Sequence, residues 1–119
     1  MLGKKHWAER IVSEAGVPSD TRVAPEIAKM LIVGAHQFAR VFAAAPGSQP
    51  QDDLDLMVLS ARAMPDNRSA VERLIGKFDL SDERATRLLE LVRQAAYRLF
   101  DAEGRKLPQV GRSWPAGLE

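Results

Sequence analysis

The chain has 119 residues, 45% of them apolar, and a formal net charge of +1 from 17 Lys/Arg and 16 Asp/Glu. That is the size of one domain around one hydrophobic core, and the near balance of charge argues against the strong phosphate-binding field of a typical nucleic-acid protein. With no cysteine, disulfides, thiolate metal sites, iron–sulfur clusters and a cysteine nucleophile are excluded.

The first predicted helix runs from about Lys4 to Ala15, with Trp7, Ile11 and Val12 on one face and Gly16 as its stop. Val17-Pro18-Ser19-Asp20 supplies a turn. The second helix spans about Pro25 to Ala45, with Pro25 tolerated in its first turn and Glu26 complementing the positive helix end. Its apolar positions form a band wider than one stripe, which predicts a central helix contacted on more than one side. Pro46 to Gln51 reads as a loop, after which Asp52 or Asp53 caps a third helix of about Leu54 to Met64, with Leu54, Met57, Val58 and Ala61 on one face. Pro65-Asp66-Asn67 ends it. Ser69 and Glu72 have capping-box spacing and open a fourth helix to about Phe78, and Ser81 caps a long fifth helix that closes at Glu103-Gly104.

Two stretches echo each other. Glu9-Arg10-Ile11-Val12, a turn and Arg40-Val41-Phe42 recur as Glu72-Arg73-Leu74-Ile75, a turn and Arg98-Leu99-Phe100. A helix pair that cannot cover its own apolar face must pack on another, so the echo predicts a pseudo-symmetric core. The fold expected is all-α: a compact bundle of about five helices built from two related helical hairpins. Residues 1–104 form a single helical domain. Residues 105–119 form an extended Pro/Gly-containing tail, with Leu107, Val110 and Trp114 spaced to strap it over a groove.

The residues offer little chemistry. His6 and His36 are the only imidazoles, with no Glu-x-x-His or His-x-x-x-His spacing. Asp52, Asp53 and Asp55 lack the glycine and distant glutamate of a calcium loop, and helix capping, which explains at least one of the three, is favoured over a metal. No serine has a nucleophile-elbow setting, and no Gly-rich phosphate cradle exists. The expectation is therefore no enzyme, no catalytic residue, no cofactor and no metal. Met1 to Trp7 lacks the apolar segment of a secretory signal, and the weakly polar stretch Met30 to Ala45 is too short to span a bilayer. A soluble, cytoplasmic chain without a membrane partner is expected.

Leu74 to Leu89 resembles a helix-turn-helix segment in its apolar residues and turn. The resemblance implies a DNA-binding regulator in which Ser81, Arg84, Thr86 and Arg87 face the major groove, helped by Lys4, Lys5, Arg105, Lys106 and Arg112. It departs from the pattern at Ile75, where a small residue is usual, at Asp79, where glycine is usual, and at Asp82 and Glu83, which oppose phosphate. Residues 9–63, with a short helix, a long helix and Asp52-Asp53-Leu54-Asp55-Leu56 opening another short one, resemble the histone fold of TATA-binding-protein-associated factors. That resemblance implies dimerisation through the long helix, with Ile27, Leu31, Ala35, Phe38 and Phe42 at the interface. The favoured reading is a non-catalytic protein–protein interaction module, a dimerising subunit or adaptor that meets itself or a protein partner, with Trp114 as a further anchor. DNA binding is the alternative.

Overall fold

The computed structural model describes residues 3–44 and 50–105; most of the predicted Pro46–Gln51 loop and the tail beyond Arg105, with Trp114, lie outside them. Five α-helices and one 3₁₀ turn account for the described residues: α1 (Lys4–Glu14), α2 (Val23–Ala44), α3 (Asp53–Ala63), the turn (Met64–Asp66), α4 (Arg68–Phe78) and α5 (Asp82–Ala102). The class is all-α, and every predicted helix is present within two residues of its expected ends.

The boundaries follow from capping chemistry. Gly16 ends α1 with φ of 85°, a left-handed backbone that glycine adopts without steric cost. Asp52 caps α3 by accepting from the Leu54 amide at 3.1 Å, and Ser81 caps α5 by accepting from the Arg84 amide at 3.1 Å. One cap differs from expectation. Asn67, not Ser69, opens α4, its side chain accepting from the amides of Ser69 and Ala70 at 3.1 and 3.4 Å. The 3₁₀ turn leaves Asn67 in extended backbone two residues earlier, so Ser69 falls inside the first turn and Glu72 pairs with Arg68 instead.

The centre of the molecule is α3. All eight residues from Leu54 to Ala61 are buried, enclosed by α1, α2 and α5. A helix apolar on nearly every side is stable only in such a position, where each large apolar side chain contributes roughly 1.5–3 kcal/mol of burial. As expected, α2 is contacted on more than one side, by α1, α3 and α4, but the enclosed position belongs to α3. Only one stripe of α2 is buried, Ala24, Ile27, Leu31, Ala35, Phe38 and Phe42.

The two hairpins form as pairs, α1 packing with α2 and α4 with α5, and α1, α2 and α5 all pack on α3. The echo in sequence is an echo in burial. Four pairs of positions fifty-eight residues apart, 27 and 85, 31 and 89, 38 and 96, and 42 and 100, are all buried.

At one point α2 and α3 come within backbone reach. The Ser60 hydroxyl, buried, donates to the Leu31 carbonyl at 2.9 Å, and a Cβ placed on Gly34 would lie 2.1 Å from Ser60 Oγ. Glycine is needed here for space. Gly34→Ala is therefore expected to lower stability by about 1–2 kcal/mol despite alanine's better helix propensity. The shift in urea midpoint measures it, and adding Ser60→Ala recovers part of the loss through the removed overlap, a non-additive result.

Candidate interaction face on helix α2

Ile27, Leu31, Ala35, Phe38 and Phe42, the residues expected at a dimer interface, lie in the chain's own core and are at most 5% exposed. They pin α2 to the bundle. The opposite side of α2 faces outward, with Lys29, Val33, Gln37 and Arg40 exposed and the half-buried Glu26 at its start, recurring at three- and four-residue intervals. Val33, at the middle of this 22-residue helix, is 48% exposed, more than any other large apolar side chain among the described residues.

A groove runs along each flank of Val33. Between α1 and α2 lies one of about 500 Å³, floored by the buried Val12 and walled by the apolar Val17, Ala28 and Ile32 between Lys5 and Lys29. Between α2, the end of α3 and α4 lies one of about 340 Å³, lined by Met30, Gly34, Gln37, Ser60, Met64 and Arg73. The depth of the second groove follows from the close approach at Gly34, which leaves no side chain to fill it. Its far wall is fixed to α2 by Glu26, only 11% exposed, which pairs with Arg73 at 3.4 Å and Lys77 at 3.1 Å. By length and composition alone α2 is also long and apolar enough to cross a bilayer, longer than the Met30–Ala45 stretch read from sequence, but in this fold its apolar stripe is committed to the core.

The four residues expected to read DNA stand at the start of α5. Ser81 is exposed but its side chain serves as the helix cap, and Thr86 donates to Asp82 at 3.4 Å. Arg84 and Arg87 are exposed and form no ion pair among the described residues. Asp79, in the glycine position of the motif, adopts the left-handed backbone with φ of 54°. Asp82 is drawn away by Arg68 at 2.6 Å. Of the auxiliary cations, Lys4 is held by Asp53 at 2.9 Å and Arg105 by two carboxylates; Lys106 and Arg112 lie outside the described residues.

The acidic cluster at the start of α3 is a latch. Asp55, 1% exposed, accepts from the Gln51 amide at 2.8 Å and from Arg105 at 3.3 Å, while Arg105 also grips both oxygens of Asp52 at 2.5 and 2.9 Å. Such bidentate pairs are the strong ones, and this one joins residues 53 apart in sequence. No spacing rule exposes it in the sequence. Trp7, at the far side of α1's first turns, is buried edge-on to His6, with the Arg10 guanidinium 5.6 Å from its ring centre.

The hydrogen bonds from Arg105 hold the Asp52 carboxyl below its ordinary value of 3.8; burial pushes the other way, and the charge of Arg105 and the Asp55 and Leu54 amides reinforce the lowering. Asp52 raises the Arg105 guanidinium in turn.

Comparison with protein-family models, with curated proteins and with solved structures found no match.

Because the Asp52 carboxyl is depressed in the folded state, its stabilisation is present above pH 3.8 and is lost as the pH falls through the lower folded value. Arg105→Ala leaves Asp55 buried without its cation and is expected to cost about 2–3 kcal/mol at neutral pH. It also moves the midpoint of acid unfolding to higher pH. Circular dichroism followed from pH 7 to pH 2 reads both effects.

Proposed function

We propose that this protein is a non-catalytic helical interaction module, a subunit or adaptor that meets a protein partner through the outward face of α2. The observation that supports the reading is Val33, 48% exposed at the centre of the longest helix and shared by two grooves. Exposed apolar surface with a polar rim is where partners dock, and side chains seated in pockets supply most of the binding energy. The five residues that the histone-fold resemblance assigns to an interface are spent on the core, so the outward face takes that role in this reading.

A second reading has its own support. The left-handed turn at Asp79 supplies the backbone that a helix-turn-helix takes at its glycine, and Arg84 and Arg87 are exposed on the first turns of the second helix, with no ion pair among the described residues. In that reading α5 meets duplex DNA through its N-terminal end.

Val33→Glu changes an exposed helical position and is expected to leave the unfolding free energy within about 0.5 kcal/mol of the parent's. It is expected to abolish recovery of a nuclease-resistant partner from native cell extract, whereas Leu91→Glu, at an exposed apolar site on α5, retains it. Recovery that is equal for both variants removes α2 as the interaction face. For the second reading, Arg84→Ala and Arg87→Ala are each expected to weaken duplex binding and to lower the slope of log affinity against log salt by about one. Unchanged affinity in both variants, measured by fluorescence anisotropy, eliminates it.

A further inference from the structure

The rim of the α2 face has a sign. Lys5 and Lys29 edge the first groove against Glu9, and Arg73 is the charged residue of the second. Arg40 extends the stripe without an ion pair among the described residues. Glu26 is largely covered between Arg73 and Lys77, so that cluster presents a net positive charge to solvent, its two cations 47% and 50% exposed around an acid that is 11% exposed. The whole face therefore carries five cations against two acids in a chain whose net charge is only +1. An apolar ridge with a groove on each side, ringed by cations, selects its occupant by both shape and charge.

Resting on the reading of α2 as an interaction face, we propose that its occupant is an amphipathic helix of another protein, with an apolar stripe for the grooves beside Val33 and acidic residues on its flanks. The stripe from Glu26 to Arg40 spans about 21 Å at 1.5 Å per residue, the length of a four-turn helix. A helix laid in a groove anchors residues at three- and four-residue intervals, the same spacing that α2 presents. A second copy of this chain fits less well. A symmetric contact centred on Val33 brings Lys29 and Arg40 of one copy toward the cationic face of the other, and like charges brought together select against that pairing. A flat bilayer would meet Val33 but leave both grooves unfilled.

The test uses the full chain and two fluorescein-labelled helical peptides of about 18 residues, with the same Leu/Ala stripe and flanked in one by Glu and in the other by Lys. Anisotropy titration is expected to show the Glu peptide binding at least about ten-fold more tightly, with that preference shrinking at high salt. Lys29→Glu is expected to reduce the preference about five-fold, and Val33→Glu to weaken both peptides. Equal, Val33-dependent binding of the two peptides overturns the acidic partner while leaving the interaction face standing. Binding of neither peptide overturns the proposal. If instead the chain binds vesicles of equal phosphatidylcholine and phosphatidylglycerol through Val33, the face belongs to a membrane. If it forms a dimer by light scattering that Val33→Glu dissolves, the occupant is a second copy. Either result overturns the acidic helix.

Discussion

Enclosing α3 on every side is the constraint on which the rest of this structure depends. An 11-residue helix is too short to be stable alone, so its order derives from the helices that surround it. Enclosure also imposes conditions on polar groups. Two polar side chains fall within its buried run, Asp55 and Ser60, and each must find a partner or carry the desolvation cost of a buried polar group. Ser60 is satisfied by the Leu31 carbonyl, which requires α2 to come close, and that approach requires Gly34. Asp55 is satisfied by the Gln51 amide and by Arg105, which requires the chain to return to α3 after α5 has ended. A buried helix at the centre thus fixes one glycine on α2 and one arginine beyond α5.

The same arrangement explains why α2 carries more apolar surface than the core uses. Since α3 holds the centre, α2 is a wall, and a wall has one buried stripe. Met30, Ile32 and Val33 lie off that stripe, with Met30 and Ile32 half-buried at its edges and Val33 out in solvent. The grooves beside them follow from backbone geometry. On one side Gly34 leaves a gap over Ser60, and on the other the turn after α1 leaves a gap between Val17 and Ala28.

Local signals in the sequence carried far. Asp52, Ser81, Gly16 and the periodic apolar stripes located the helices because capping and amphipathicity act over a few residues. Asn67 was hidden behind Ser69 by the 3₁₀ turn, whose tightness shifts the start of α4. The place of α3 was open to reading. Leu54-Asp55-Leu56-Met57-Val58-Leu59 is apolar on every side but one, a pattern that marks an enclosed helix, yet attention to a single face of Leu54, Met57, Val58 and Ala61 missed Leu56 and Leu59. The width of the band on α2 was legible, but its meaning was not, because an apolar band looks the same whether it faces a core or an unfilled groove. The latch of Arg105 on Asp52 and Asp55 depends on the path of the whole chain, and no short-range pattern encodes it.

The internal echo gives the surface of α2 a control within the molecule. Positions 33 and 91 are fifty-eight apart, the same offset that relates the buried pairs, and they hold the two exposed large apolar residues among those described, Val33 at 48% and Leu91 at 38%. A common ancestor of the two hairpins would account for apolar side chains at both places. Their surroundings have diverged. Leu91 stands on a helix whose neighbours Glu90 and Arg93 pair with each other across the surface. Val33 stands beside cations that find few acids and between grooves that nothing in the described residues fills. Core packing constrains the buried pairs and not the surface around them, so the two hairpins keep the same buried offset while their outer faces differ in charge and relief.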